Sequence, residues 1–567
     1  MKHQPLWITS FIGLVIVLLV GCVGSKLTPT TLPSATPTSP PTTFSSATPT
    51  PPSAEWPTHG WQTSTPEQQG MDSQKLAEMF DYIVRRKPNL HSLLIVRNGY
   101  LVTEAYFFPY RPDTLHGIYS CTKSFSSALI GIAIDKGFIR GVDQPVLSFF
   151  PDRTIANVDP RKQAITLENL LTMSSGLDWS EWSTSYSDPT NIGRQMLLSS
   201  DPIQFMLDRP MQTDPGKLFN YNTGGSNLLS AIVEQTTGIS TLEFARTNLF
   251  EPLGFSKVFW ARAQNGMYRG GDGLMLTPGD MAKFGYLYLN RGVWDGRQII
   301  SAEWVDTSTS DHISTERQAY AGDQYGYQWW LGWMQSPGFH AASGYGGQYI
   351  FVIPEKNLVV VFTGELSVPN YDEFVPKALA ETYILPAVQS DSPLPANPEA
   401  TGRLAALIQT VSQPHPQPVS TLPAMAAQVS GKTYIFDTNE RSVQSFSLVF
   451  AEGADEAHLF WQVNDRTMDI LVGLDDVFRL TELGPLETTA LAEGEGKNVK
   501  APDYSAFTTS VKGGWRSGNI FQMSFQVLGY DLGTRKDFTF AQGGVDVSMT
   551  NLIDNSVVTL HARLQSP

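Results

Sequence analysis

Cysteine is almost absent from the 567 residues: Cys22 and Cys121 are the only two. They could form one disulfide at most, so folding rests on burial of apolar side chains rather than on cross-links. Metal-ligand spacing is missing too. Neither cysteine has a partner at zinc-site separation and the nine histidines form no H-E-x-x-H or comparable cluster, so no metal centre is indicated. Basic charge is scarce, with 39 Lys and Arg against 54 Asp and Glu and a net charge of −15. The longest basic run is Arg85-Arg86-Lys87, which argues against nucleic acid as a partner. No serine sits in G-x-S-x-G, which removes an α/β-hydrolase nucleophile elbow.

Hydrophobic residues make up 41% and charged residues 16%, the balance of a chain that folds around large cores. At roughly 150 residues per domain, two to four domains are expected. Residues 1–21 read as a secretory signal, with Lys2 and His3 before an apolar run from Phe11 to Val20. That run is shorter than the about 20 residues a membrane span needs. It ends in Leu19-Val20-Gly21-Cys22, which resembles the bacterial lipobox and so implies a lipidated Cys22 as the mature N-terminus. A signal anchor that merely contains a cysteine is the alternative. From Val23 to Ala54, 23 of 32 residues are Pro, Ser or Thr, an extended spacer that cannot bury a core. The expectation is a folded body outside the cytoplasm, held to a cell-envelope membrane through Cys22, with residues 22–54 as linker.

Residues 55–390 read as an α+β domain. A helix is expected over Ser73–Arg86 with Ser73 as cap, then strands His91–Arg97 and Tyr100–Phe107 around Asn98-Gly99, a strong hairpin signal. Helical patterns follow at Cys121–Lys136, Thr166–Met173, Asn227–Thr236 and Pro278–Leu289. Strands Gln348–Ile353 and Leu358–Thr363 flank Pro354–Asn357, and a helix near Tyr371–Leu385 closes the unit. Strands at both ends with helices between place the terminal strands in one antiparallel sheet. Proline-rich residues 391–428 mark a linker, with a short helix expected at Glu399–Thr410. Residues 429–567 show short alternating runs between turns, the pattern of an all-β barrel or sandwich.

The nucleophile signal is Ser120-Cys121-Thr122-Lys123, an S-x-x-K match at a helix start. Positions i and i+3 share a helix face, so the amine can reach the hydroxyl, and the helix N-terminus favours developing negative charge. Burial lowers a lysine's pKa and makes it a proton acceptor. Cys121 lies about 100° around the helix from Ser120, which argues against a cysteine nucleophile. The spacing alone is equally met by a helix cap followed by a surface lysine.

Ordered motifs change that balance. Ile165–Leu177 carries Leu170-Leu171-Thr172-Met173-Ser174-Ser175-Gly176; Phe219–Leu229 carries Tyr221-Asn222-Thr223; Gly270-Gly271-Asp272-Gly273 and His340–Gln348 follow. With Ser120 and Lys123, the stretch from about Glu55 to Ala387 resembles the serine β-lactamase-related family. That family comprises class C β-lactamases, D-alanyl-D-alanine peptidases, certain esterases and hydrolases of 6-aminohexanoate oligomers. The resemblance implies a β-lactamase/transpeptidase-like antiparallel sheet flanked by helices, with an all-helical subdomain. It also implies Ser120 as acylated nucleophile, Lys123 as general base or proton relay, and Tyr221 as the proton shuttle. The oxyanion would rest on the Ser120 amide and an amide near Ser343–Tyr345, and no cofactor is implied.

Two positions depart from the family pattern. Thr223 stands where the Y-x-N asparagine is expected, and His340-Ala341-Ala342-Ser343-Gly344 replaces the K-T-G strand, leaving no lysine for a β-lactam carboxylate. Both favour the esterase and 6-aminohexanoate-hydrolase branch, acting on a small-molecule amide or ester. Thr223, Ser343, Tyr345 and His340 are the binding candidates, with an ordinary loop position the alternative for His340. Tyr186, in Tyr186-Ser187-Asp188-Pro189, is a candidate from a loop over the substrate. A D-alanyl-D-alanine peptidase or weak β-lactamase, and a non-catalytic surface binding protein, are the competing readings.

Overall fold

The computed structural model describes residues 55–565 apart from 187, 316–322, 335, 367–373, 440, 465, 483–507, 531–532 and 553–555. The expected signal segment, Cys22 and the spacer lie outside the described residues, as does the start of the helix expected near Tyr371. Strands Leu90–Arg97 and Tyr100–Tyr106 form the expected hairpin, with Asn98 at φ 53° and Gly99 at φ 83°. Two consecutive positive φ values are what a type I′ turn needs, and Asn-Gly meets that need at least strain. The hairpin pairs through Leu90–Arg97 with Leu358–Gly364, and Gln348–Ile353 and His340–Gly344 follow in one antiparallel sheet of eight strands. Strands from both ends of the α+β domain thus share a sheet.

Alternation along the strands separates two cores. Leu94, Val96, Ile350, Val352, Val359 and Val361 face a core that holds the helices Thr122–Asp135 and Pro278–Leu289. Leu93, Ile95, Phe351, Ile353, Val360 and Phe362 face the other, closed by Ser73–Arg86 and by Pro398–Ser412. The latter helix extends beyond the expected Glu399–Thr410, and Leu404 and Leu407 pack into this second core from within the proline-rich segment. Asp72, not Ser73, caps the first helix by accepting from the Gln74 amide. Ser73 instead binds the buried Glu67 carboxylate.

Helix Thr122–Asp135 is buried along its whole length from Thr122 to Ala133. Its Phe125 ring stacks on Phe284 at 3.7 Å. Truncating such a side chain typically costs about 3–5 kcal/mol, so the helix that begins at the candidate nucleophile is firmly seated.

Among the described residues, the C-terminal strands form a closed barrel of nine. Arg466–Gly473 and Thr509–Ser517 close the ring through Gly473 and Lys512, and Arg479–Thr481 adds an edge strand. Trp461, Phe446, Phe521 and Phe538 fill the interior. The barrel is not remote from the α+β domain. The tip between Ile520–Val527 and Gly533–Ala541 reaches strand His116–Gly117, where the Gly117 amide donates to the Gly529 carbonyl at 2.6 Å. Val527 packs with Leu115 and Met275, and Gln526 Nε2 donates to the Tyr110 hydroxyl at 2.6 Å. The Gly117 end of this contact lies three residues before Ser120.

Candidate active site

Ser120 sits on the single turn Tyr119–Cys121 that leads into helix Thr122–Asp135. Tyr119 holds φ at 45°, a left-handed conformation that costs a non-glycine residue about 1–2 kcal/mol. The following helix over-determines it, since the Cys121 amide donates to Ile118 O and the Thr122 amide to Ser120 O and Tyr119 O. Cys121 points away, its thiol donating to Gln348 O in the interior, where burial pushes its pKa up. It is a packing residue.

The i, i+3 relation sets Lys123 Nζ 3.1 Å from Ser120 Oγ. The amine also reaches Thr223 Oγ1 at 3.1 Å and the Gly271 carbonyl at 2.7 Å. Lys123 is 2% exposed. Desolvation lowers its pKa from 10.5 to about 8, while the charges of Glu181 and Asp272 pull it partly back. About a tenth of the amine is therefore neutral at pH 7. Gly271 has no room for a side chain, because a Cβ would lie 2.6 Å from Thr223 Cγ2. Only glycine lets this carbonyl close on Lys123.

Tyr221 precedes helix Thr223–Thr237, capped by Asn222, whose side chain accepts from the Gly225 amide. The helix starts four residues before the expected Asn227. Gly224 and Gly225 look like breakers in sequence, yet a Cβ at Gly224 would lie 2.1 Å from Met206 Sδ, so close packing requires glycine inside the first turn. The Lys123 amine lies 4.8 Å from the centre of the Tyr221 ring, and Ser120 acts on the Tyr221 phenol to lower its pKa, against the larger effect of burial. Burial raises the phenol's pKa well above its usual value, so it is neutral and can donate. Its ring stacks between Trp182 at 4.6 Å and Trp330 at 5.8 Å.

Sequence reading missed Glu181. Its carboxylate, 1% exposed, accepts from Thr223 Oγ1 and Tyr186 Oη on one oxygen, each at 2.7 Å. The other oxygen accepts from the Thr223 amide at 2.7 Å and Trp179 Nε1 at 2.6 Å. The available signal was an acid enclosed by Trp179 and Trp182 in an otherwise turn-like stretch. The motif Gly270-Gly271 was visible, but its role as an acceptor for lysine was not.

Of the other candidates, Thr223 and Tyr186 join this network. Tyr345 is 41% exposed and its ring meets Tyr119 edge-on at 5.9 Å. Ser343 and Gly344 lie on strand His340–Gly344, where a Cβ on Gly344 would fall 2.2 Å from Ile118 O, so this strand end abuts the nucleophile turn. His340 is a strand residue rather than a loop residue, and it is buried. It lies at the far end of that strand, buried against Trp329 and Tyr288, with Nδ1 bound to Gly338 O at 2.9 Å. The alternation of the strand turns it into the core. Ser187 is outside the described residues. Among the described residues, no group of three or more His, Cys, Asp or Glu is placed to hold a metal ion, and no helix is long and apolar enough to cross a membrane.

The convergence of a serine hydroxyl, a desolvated amine and a phenol can generate an alkoxide and protonate a leaving group. The chain is 25% identical over 288 residues to a 6-aminohexanoate-dimer hydrolase of Paenarthrobacter ureafaciens, across 48% of this chain and 71% of the relative. The solved structure of EstCE1, a hydrolase with promiscuous acyltransferase activity, covers 55% of this chain and 99% of its own at TM-score 0.47 and 15% identity. The octameric penicillin-binding protein homologue of Pyrococcus abyssi covers 87% of this chain and 100% of its own at TM-score 0.44 and 18% identity. The Beta-lactamase family profile matches residues 67–382, more than half of the chain, and takes in every group around Ser120 described above. By that match the chain is a member of the β-lactamase family, whose members are serine hydrolases.

Proposed function

We propose that this protein is a serine hydrolase that cleaves a small-molecule ester or amide through an acyl-enzyme on Ser120. We further infer that it works outside the cytoplasm, tethered to a cell-envelope membrane by lipid on Cys22. One observation carries the catalytic reading: a buried amine 3.1 Å from Ser120 Oγ, with the Tyr221 ring centre 4.8 Å from the same nitrogen.

In this reading the neutral Lys123 amine takes the Ser120 proton as Oγ bonds to the substrate carbonyl carbon. The oxyanion is held by the backbone amides of Ser120 and Tyr345, at the abutment of the nucleophile turn and the strand end. As the tetrahedral adduct collapses, the neutral Tyr221 phenol gives its proton to the departing oxygen or nitrogen. The Lys123 ammonium then reprotonates the phenolate. Water repeats the sequence in reverse, and Ser120 regains its proton as the acid leaves.

The ester and amide branch is favoured over β-lactams by strand His340–Gly344, which carries no lysine at the K-T-G position. The hydrolysis of a 6-aminohexanoate dimer by a relative is consistent with that branch. A panel of p-nitrophenyl acetate, p-nitrophenyl butyrate, 6-aminohexanoate dimer and nitrocefin tests it. Turnover of an ester or the dimer, absent from Ser120→Ala, is expected. Faster turnover of nitrocefin would instead select a β-lactamase or cell-wall peptidase.

A further inference from the structure

We propose that Glu181 is a positioning residue that, through Thr223, aims the lone pair of the Lys123 amine at Ser120. This rests on the reading of Ser120 as nucleophile and extends it to a residue 42 positions before Thr223 in the chain.

The donors and acceptors around the Lys123 amine leave one arrangement. An ionised carboxylate only accepts hydrogen bonds. Thr223 has a single hydroxyl proton, and Glu181 Oε1 takes it at 2.7 Å. Thr223 Oγ1 can then only accept from Lys123, 3.1 Å away. The Gly271 carbonyl, 2.7 Å from the same nitrogen, can never donate. A neutral amine has two N–H groups and one lone pair. Both N–H groups are thus committed to Thr223 and Gly271, and the lone pair faces the third neighbour, Ser120 Oγ, at 3.1 Å. That neighbour alone has a proton to give. After transfer the ammonium has three N–H groups and three acceptors: the new alkoxide, Thr223 Oγ1 and Gly271 O. No hydrogen has to be reoriented during the step.

Glu181 is itself fixed. Its four incoming hydrogen bonds, from Thr223 N and Oγ1, Tyr186 Oη and Trp179 Nε1, are all between 2.6 and 2.7 Å. A glutamine there would turn an NH2 group toward at least one of these donors. The charged and titratable groups acting on Lys123 are Glu181 and Asp272, which stabilise its cation, Arg269, which opposes it, and the neighbouring Cys121 and Tyr221. Arg269 is paired with Asp272, which leaves Glu181 as the carboxylate joined to the amine through a single hydroxyl.

The test is the pH dependence of phosphonylation by a fluorophosphonate probe and of p-nitrophenyl acetate hydrolysis. It is run on full-length wild type, Glu181→Gln, Thr223→Val and Thr223→Ser, with thermal unfolding as the folding control. Glu181→Gln is expected to lower kcat about 100-fold and to move the basic pKa of the profile toward acid by about one unit. Thr223→Val should lose activity to a similar extent and Thr223→Ser should recover most of it, because serine keeps the bridging hydroxyl. A structural role alone would lower the melting temperature without moving the profile. If Glu181→Gln fails to fold, the Thr223 pair decides the question. Wild-type rates and profile in Thr223→Val, or in a folded Glu181→Gln, would overturn the inference while leaving Ser120 as nucleophile. Absence of labelling in wild type would instead remove the nucleophile reading itself.

Discussion

Replacing Gly529 by alanine should slow the chemistry at Ser120 although Gly529 belongs to the C-terminal barrel. Gly529 has φ 76°, and a Cβ there would lie 1.7 Å from the Leu115 carbonyl oxygen. Contacts shorter than 3.0 Å are not tolerated, so the barrel tip must withdraw by about 1.3 Å. That takes the Gly529 carbonyl out of reach of the Gly117 amide, now 2.6 Å away. Loss of this bond costs about 1 kcal/mol and the left-handed alanine about 1–2 kcal/mol more. Gly117 is three residues before Ser120, and a displacement of about 1 Å at a reacting group can cost about 100-fold in rate. Expected values are a stability loss of about 2–3 kcal/mol and a 10- to 100-fold fall in kcat for p-nitrophenyl acetate. Gly543→Ala is the matched control. It also has positive φ, 85°, but nothing lies within 4 Å of its Cβ position, so it should lose only the backbone contribution and keep full activity. If Gly529→Ala behaves like Gly543→Ala, the barrel does not support the nucleophile turn.

Two further outcomes follow from the site. Since burial lowers Lys123 to about 8 and its neutral form is the base, kcat/KM should rise tenfold per pH unit below that value and level off above it; a profile flat from pH 6 to 9 would contradict this role. Gly271→Ala must push Thr223 and the Lys123 amine apart, since its Cβ would meet Thr223 Cγ2 at 2.6 Å, and should cut kcat at least tenfold with KM nearly unchanged, as measured by steady-state ester hydrolysis.

Local signals in the chain revealed those parts of the site held by local geometry. Ser120 and Lys123 are three residues apart on one helix, and Asn98-Gly99 has few turns open to it. Tyr221 became visible through the order of its neighbours rather than its own spacing. Glu181 was hidden because its partner Thr223 is brought to it by the fold, and a lone Glu between tryptophans has no periodic signature. Gly529 was hidden for the same reason: the closeness that demands glycine is to a carbonyl more than 400 residues earlier. The burial of His340 was hidden because the K-T-G comparison fixed its strand but not which face of the strand it occupies. The start of helix Thr223–Thr237 was set late because paired glycines signal a break unless close packing calls for them.

The most direct measurement is the mass of the peptide containing Ser120 after the full-length protein has been treated with a fluorophosphonate. Stoichiometric addition of one phosphonyl group to Ser120 is expected, abolished in Ser120→Ala and slowed at least 100-fold in Lys123→Ala and Tyr221→Phe. Modification at another residue, or equal labelling of Ser120 in the Lys123 variant, would contradict it.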